Sequence, residues 1–197
     1  MKMLKTTQII TFIGIFLFFI SDVTAGCQEH NKKLDPLTFK NLEKTLKELD
    51  EALKIEPNNH KIHLNKGVTF NKLGNIAESI KEFDIAIKLN PNYANAYYNK
   101  GVALYCRYPL KALKELNMAI KLDPDNANSY YYKGRSLSFL KKYKEALEQF
   151  DIALKLNPKD AQAYFYKGLI LYRLYKYHEA LEQYNLAIQH NPNNGDF

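Results

Sequence analysis

Tryptophan is absent from this 197-residue chain, and cysteine, proline and glycine are scarce, at two, seven and eight residues. So few Gly and Pro, beside 46% hydrophobic and 25% charged residues, exclude a low-complexity or collagen-like chain and indicate an ordered, soluble, helical one. The two cysteines, Cys27 and Cys106, are too few for a disulfide framework and read as unpaired thiols. The missing tryptophan, set against 15 tyrosines, carries no functional weight.

Catalytic signatures are missing too. The chain has no Gly-x-Ser-x-Gly, Cys-x-x-Cys or His-Glu-x-x-His, and no paired carboxylates isolated on an apolar face. His60 and His63 have a spacing able to bind metal, but no third ligand accompanies them. The expectation is a non-enzyme with no cofactor and no metal.

A long hydrophobic run is also lacking, since residues 9–20 make only twelve, whereas spanning a bilayer takes about 20. Lys2 and Lys5 precede that run, and Ser21, Asp22 and the small residues Val23-Thr24-Ala25 follow it. This three-part layout predicts a signal peptide over 1–25, cleaved after Ala25, and an exported protein, periplasmic or secreted. The overlapping Thr24-Ala25-Gly26-Cys27 loosely resembles a lipobox, which offers a lipidated Cys27 and a membrane-anchored lipoprotein as the alternative. Membrane attachment follows only from that lipidation or from an uncleaved signal. Cleavage removes two lysines and one aspartate, taking the net charge from +7 to +6, a field that suits acidic partners without requiring nucleic acid.

What the chain has in abundance is repetition. Gly67, Gly101, Gly134 and Gly168 are spaced by 34, 33 and 34 residues, and Pro57, Pro91, Pro124, Pro158 and Pro192 by 34, 33, 34 and 34. Two markers share one period and one defect. Between each Gly and the next Pro lie two amphipathic stretches, such as Tyr130, Gly134, Leu137 and Leu140 followed by Ala146, Phe150, Ala153 and Leu156. Triplets such as Asn157-Pro158-Lys159 stop the second stretch, because proline lacks an N–H and disfavours helix in the residue before it.

These units resemble tetratricopeptide repeats. Tyr97, Gly101, Leu104, Ala112, Leu116, Ala119 and Pro124 follow that family's order of aromatic, Gly, large residue, Ala, large residue, Ala and Pro. So do Tyr130, Gly134, Leu137, Ala146, Phe150, Ala153 and Pro158, then Tyr164, Gly168, Leu171, Ala180, Tyr184, Ala187 and Pro192. The first unit is poorer, with His63 in the aromatic slot and Ser79 in an alanine slot. The resemblance implies an all-α fold, a right-handed α–α superhelix of helix-turn-helix units over 60–93, 94–126, 127–160 and 161–194. A linker at 26–35 and a half repeat or capping helix at 36–59 precede them, with Asp35 at its N-cap and Pro36 at N1. The second unit is one residue short around Cys106-Arg107-Tyr108-Pro109, which places Pro109 in the first turn of a helix.

Such arrays bind along their concave face. In proteins similar to this one the first helices line it, which points to Asn65, Val68, Asn71 and Lys72; Asn95, Tyr98, Asn99, Val102 and Tyr105; Asn128, Tyr131, Tyr132, Arg135 and Phe139; and Phe165, Leu169, Tyr172 and Arg173. Aromatic anchors with amides and a guanidinium suit an extended peptide or helix of a protein partner. For Tyr98, Tyr131 and Phe165, packing between repeats competes evenly with binding, and Tyr97 and Tyr130 read as packing alone. A clamp for chaperone C-terminal tails is rejected: Asn65 and Asn99 fit its middle position, but Asn128 and Tyr132 stand where it needs cations. The recurrent Lys66, Lys100, Lys133 and Lys167 read as solvated lysines rather than a phosphate cradle, and nucleic acid ranks below a protein partner. The chain ends soon after the last repeat, so an exposed apolar strip at Leu181 and Tyr184 is expected to support self-association.

Overall fold

The computed structural model describes residues 34–191. The expected signal segment and Cys27 lie outside them. Within them the chain forms a leading helix α1 (Pro36–Ile55) and four antiparallel pairs: α2 (His60–Lys72) with α3 (Ile76–Leu89), α4 (Ala94–Leu104) with α5 (Pro109–Leu122), α6 (Ala127–Phe139) with α7 (Tyr143–Leu156), and α8 (Ala161–Arg173) with α9 (Tyr177–His190). The fold is the all-α superhelix that the repeat pattern implies.

Local chemistry sets the boundaries. Asp35 caps α1 by accepting from the backbone N–H groups of Leu37 and Thr38, both at 3.0 Å, and Pro36 occupies the first turn. Asn59, Asn126 and Asp160 cap α2, α6 and α8 in the same manner. Each second helix ends on an Asn or Asp whose N–H donates to the carbonyl of Ala86, Ala119, Ala153 or Ala187. The proline that follows prevents continuation.

The turns inside the pairs explain the short unit. Gly74, Lys141 and Tyr175 hold left-handed backbone at φ 79°, 60° and 62° in the first, third and fourth pairs. The second pair has no such residue. Its deletion falls on this position, α4 stops at Leu104, and Pro109 opens α5 where a missing N–H costs no hydrogen bond.

Packing within a pair is a close backbone approach. A Cβ on Gly67 would lie 2.5 Å from the Phe83 ring, one on Gly101 2.6 Å from Leu116, one on Gly134 3.0 Å from Phe150, and one on Gly168 2.8 Å from Tyr184. The large residue of each second helix therefore sits directly on the glycine of the first. Ala86, Ala112, Ala119, Ala146, Ala153, Ala180 and Ala187 are buried around these contacts, and Ser79 takes the place of one such alanine. Its hydroxyl oxygen is buried without a hydrogen-bond partner.

Each second helix also packs on the first helix of the following pair, and successive first helices touch one another. That places α2, α4, α6 and α8 along the inner side of the curve. At the C-terminal end the expected apolar strip is smaller than the sequence suggests. Leu181 and Ile188 are exposed, but Tyr184 is only 9% exposed because its ring fills the space over Gly168 and meets Phe165.

Candidate functional site: an aromatic and arginine cluster on the first helices

The inner-face residues fall into columns because each pair repeats the same rotation. One column runs Leu64, Tyr98, Tyr131 and Phe165; the next runs Asn65, Asn99, Tyr132 and Tyr166; a third runs Val68, Val102, Arg135 and Leu169. In the N-terminal half these columns carry aliphatic and amide groups beside Tyr98. In the C-terminal half the first two are wholly aromatic, and the third gains Arg135.

The rings form a continuous chain across three pairs. Tyr98 meets Tyr132 edge-on at 5.9 Å between centroids, Tyr132 meets Tyr105 at 5.2 Å and Tyr131 at 5.0 Å, and Tyr131 meets Tyr166 at 5.9 Å. Tyr166 continues to Phe165 at 5.3 Å, Phe139 closes on Tyr105 at 5.9 Å, and Tyr172 reaches Tyr177 at 5.4 Å. Tilted and edge-on geometries of this kind stabilise each ring pair beyond its buried area.

Arg135 sits at the centre of this cluster. Its guanidinium carbon lies 3.6 Å from the Tyr166 ring centre, 5.2 Å from that of Tyr105 and 5.8 Å from that of Tyr131. Its Nη1 donates to the Tyr131 hydroxyl at 2.9 Å. Tyr105, Tyr131 and Arg135 are buried, while Tyr98, Tyr132, Phe165, Tyr172 and Arg173 are half-buried. Burial pushes the Tyr131 phenol well above its ordinary value despite the opposing Arg135 charge, and burial likewise raises Tyr98. Both phenols therefore stay neutral hydrogen-bonding groups at any physiological pH.

The amides are placed differently. Asn65, Asn95 and Asn128 are exposed, and Asn99 donates its side-chain N–H to the Asn95 carbonyl at 2.8 Å, on its own helix. Asn71 presents a buried Oδ1 with no hydrogen-bond partner. The structure thus gathers Tyr98, Tyr105, Tyr131, Tyr132 and Arg135 into one cluster and leaves Asn65, Asn95 and Asn128 exposed outside it. Tyr166, absent from the sequence-derived set, closes the cage over Arg135. One 34-residue step from Tyr132 leads to it.

The lysine column corrects the expectation of solvated side chains. Lys66 Nζ lies 2.8 Å from Asp50 and 3.0 Å from Glu82, and Lys100 Nζ lies 2.8 Å from Asp84 and 2.9 Å from Glu115. Lys167 pairs with Asp151 at 2.6 Å. In the two complete triads the lysine of a first helix joins an aspartate of the preceding second helix to a glutamate of its own partner helix. Burial opposes the charge on Lys66 and Lys100, yet hydrogen bonds to both carboxylates outweigh it and raise their proton affinity.

The histidines serve separate contacts. His63 is buried with Nδ1 2.7 Å from Glu82 and Nε2 3.1 Å from the Pro57 carbonyl, and His60 packs edge-on against Tyr93. Among the described residues no group of three or more His, Cys, Asp or Glu side chains could hold a metal ion. Cys106 corrects the reading of two unpaired thiols, because it is disulfide-bonded.

Three family models match: a tetratricopeptide repeat model over residues 133–195, a TPR repeat model over 67–105, and another tetratricopeptide repeat model over 115–148. The chain carries tetratricopeptide repeats. Among solved structures, this repeat chain is similar to Pseudomonas aeruginosa PilF at 25% identity, covering 79% of this chain and 71% of that one with a TM-score of 0.72. It is similar to MamA from Desulfovibrio magneticus at 23% identity, 78% and 88% coverage and a TM-score of 0.70. YrrB, described as a TPR protein with an unusual peptide-binding site, gives 22% identity, 86% and 93% coverage and a TM-score of 0.64. No curated protein matches the sequence.

Proposed function

We propose that this chain is a non-enzymatic scaffold that holds an extended segment or helix of a partner protein along its first helices. The observation that carries the reading is the unbroken aromatic chain from Tyr98 to Phe165 with Arg135 at its centre. Rings held by their neighbours lose little freedom on binding, and half-buried edges such as those of Tyr98 and Tyr132 offer contact area at low entropic cost. Exposed Asn65, Asn95 and Asn128 supply hydrogen bonds to a partner backbone at the rim. The peptide-binding site named for YrrB supports the same mode of use.

The test is a pull-down with the parent chain and with Tyr98→Ala/Tyr132→Ala, the two half-buried rings. Loss of a partner at unchanged circular dichroism and melting temperature supports the groove. Retention of every partner at full recovery overturns it.

We further propose that the protein works after export, in an oxidising compartment. The disulfide at Cys106 supports this, since such bonds persist outside the reducing cytosol. Cys27 is the one other cysteine in the sequence, so a bond made within the chain uses the same sulfur that lipidation needs. Mass spectrometry of the mature protein, before and after reduction, tests both points. Gly26 as the first residue with a two-hydrogen mass gain on reduction supports the exported, unlipidated form, and a diacylglyceryl adduct on Cys27 overturns it.

A further inference from the structure

We propose that Lys133, flanked by Asn117 and Gln149, is a socket for one carboxylate of a partner protein, an Asp or Glu side chain in an acidic segment. The repeat register carries the argument. The acids around Lys66 and Lys100 sit 15 or 16 residues before and after the lysine, at Asp50 and Glu82, then at Asp84 and Glu115. At Lys133 the same two places hold Asn117 and Gln149. The lysine has been kept and both of its counter-ions have been replaced by amides.

Among the described residues no carboxylate takes their place in contact with the ammonium. Lys133 is half-buried and makes no ion pair or hydrogen bond among the described residues. Gln149 has not taken over the acid's bond either, because its Oε1 is buried without a hydrogen-bond partner. Burial lowers the proton affinity of Lys133, and Glu145 restores it only in part, its carboxylate being held by Lys142 at 3.0 Å. An incoming carboxylate meets a charged ammonium donor and two amide groups able to donate, in a partly desolvated place where such bonds are strong.

The place is open from outside. The aspartates at the equivalent positions, Asp84 and Asp151, have side chains 55% and 58% exposed, and Asn117 is exposed as well. The socket faces the second helices α5 and α7, whereas Arg135 belongs to the inner cluster, so it is a contact surface separate from the groove and does not rest on the groove reading. The complete triads show the ligand that fits this place, a side-chain carboxylate, and the nearby acids are already engaged: Lys100 holds Asp84 and Glu115, Lys142 holds Glu145 and Lys167 holds Asp151.

The experiment is nitrogen-15 NMR of the lysine ammonium groups in the full chain, with the Lys133 signal assigned through Lys133→Arg. The probes are a synthetic hexapeptide of alternating Glu and Ser, its Gln and Ser counterpart, and inorganic phosphate. A saturable shift of the Lys133 signal is expected with the Glu peptide, with affinity about tenfold weaker for the Gln peptide, as loss of one charge-assisted bond implies. Asn117→Asp/Gln149→Glu restores the acids seen around Lys100, and it is expected to abolish the shift while raising the melting temperature. An unmoved Lys133 signal, an equal response to phosphate, or a persistent shift in the restored variant overturns the proposal.

Discussion

The guanidinium carbon of Arg135 lies over the Tyr166 ring, 3.6 Å from its centre, with the Tyr131 hydroxyl accepting from Nη1 at 2.9 Å. Arg135 is 3% exposed, so this stack is a desolvated one. Cation–π contacts reach about 2 kcal/mol under such conditions. Tyr166→Leu is expected to lose about that much in urea unfolding, whereas Tyr175→Leu, at a ring 79% exposed, is expected to stay within about 0.5 kcal/mol of the parent. Equal midpoints for the two variants would show that the stack does not stabilise the array.

The glycines make a graded series. Ala is the better helix former by about 1 kcal/mol, but a Cβ on Gly67 meets the Phe83 ring at 2.5 Å while one on Gly134 meets Phe150 at 3.0 Å. Gly67→Ala is expected to destabilise by about 1–3 kcal/mol through overpacking, and Gly134→Ala to cost clearly less. Thermal melts of the two single variants give the order directly.

Ser79 invites a stabilising change. Its hydroxyl is buried without a partner in a slot that Ala112, Ala146 and Ala180 fill in the other pairs. Ser79→Ala removes a desolvated polar group and is expected to raise stability by about 1–2 kcal/mol. A lower melting temperature than the parent would mean that the hydroxyl has a bonding role.

The lysines are expected to titrate in a defined order. Lys66 and Lys100 hold their protons above the ordinary value of 10.5, and Lys133 releases its proton below it. The two triads therefore contribute stability that is present below about pH 10.5 and lost as pH rises through their raised values. Lys133 acts with the opposite sign, since its depressed value means that folding disfavours the charged form and that relief comes as pH rises. Ammonium NMR against pH should show Lys133 deprotonating before Lys66 and Lys100.

The helix pairs were legible because Gly and Pro mark the same period and because each marker has a steric reason: a large side chain lies on the glycine, and a helix stops before the proline. The left-handed turn residue was harder to read. Only Gly74 uses glycine there, while Lys141 and Tyr175 adopt the same conformation without announcing it. The inner face is readable column by column, and the column of Asn65, Asn99 and Tyr132 leads to Tyr166, but its place over Arg135 is a contact between helices that repeat position alone does not reveal. The lysine triads join helices some sixteen residues apart, a spacing that no single-helix pattern reveals. Cys106 could not be assigned from a count of two thiols, since pairing depends on where the chain brings them.

The unequal lysine triads also bear on how the array assembles without error. Near-identical modules can dock on the wrong neighbour, a hazard typical of tandem repeats. If α8 skipped a module and docked on α5 in place of α7, Lys167 would exchange Asp151 for Asn117 and lose its one acidic contact. The charges thus mark one junction as unlike the rest: α5 offers Asn117 where α1, α3 and α7 offer Asp50, Asp84 and Asp151, which disfavours docking of another first helix on α5.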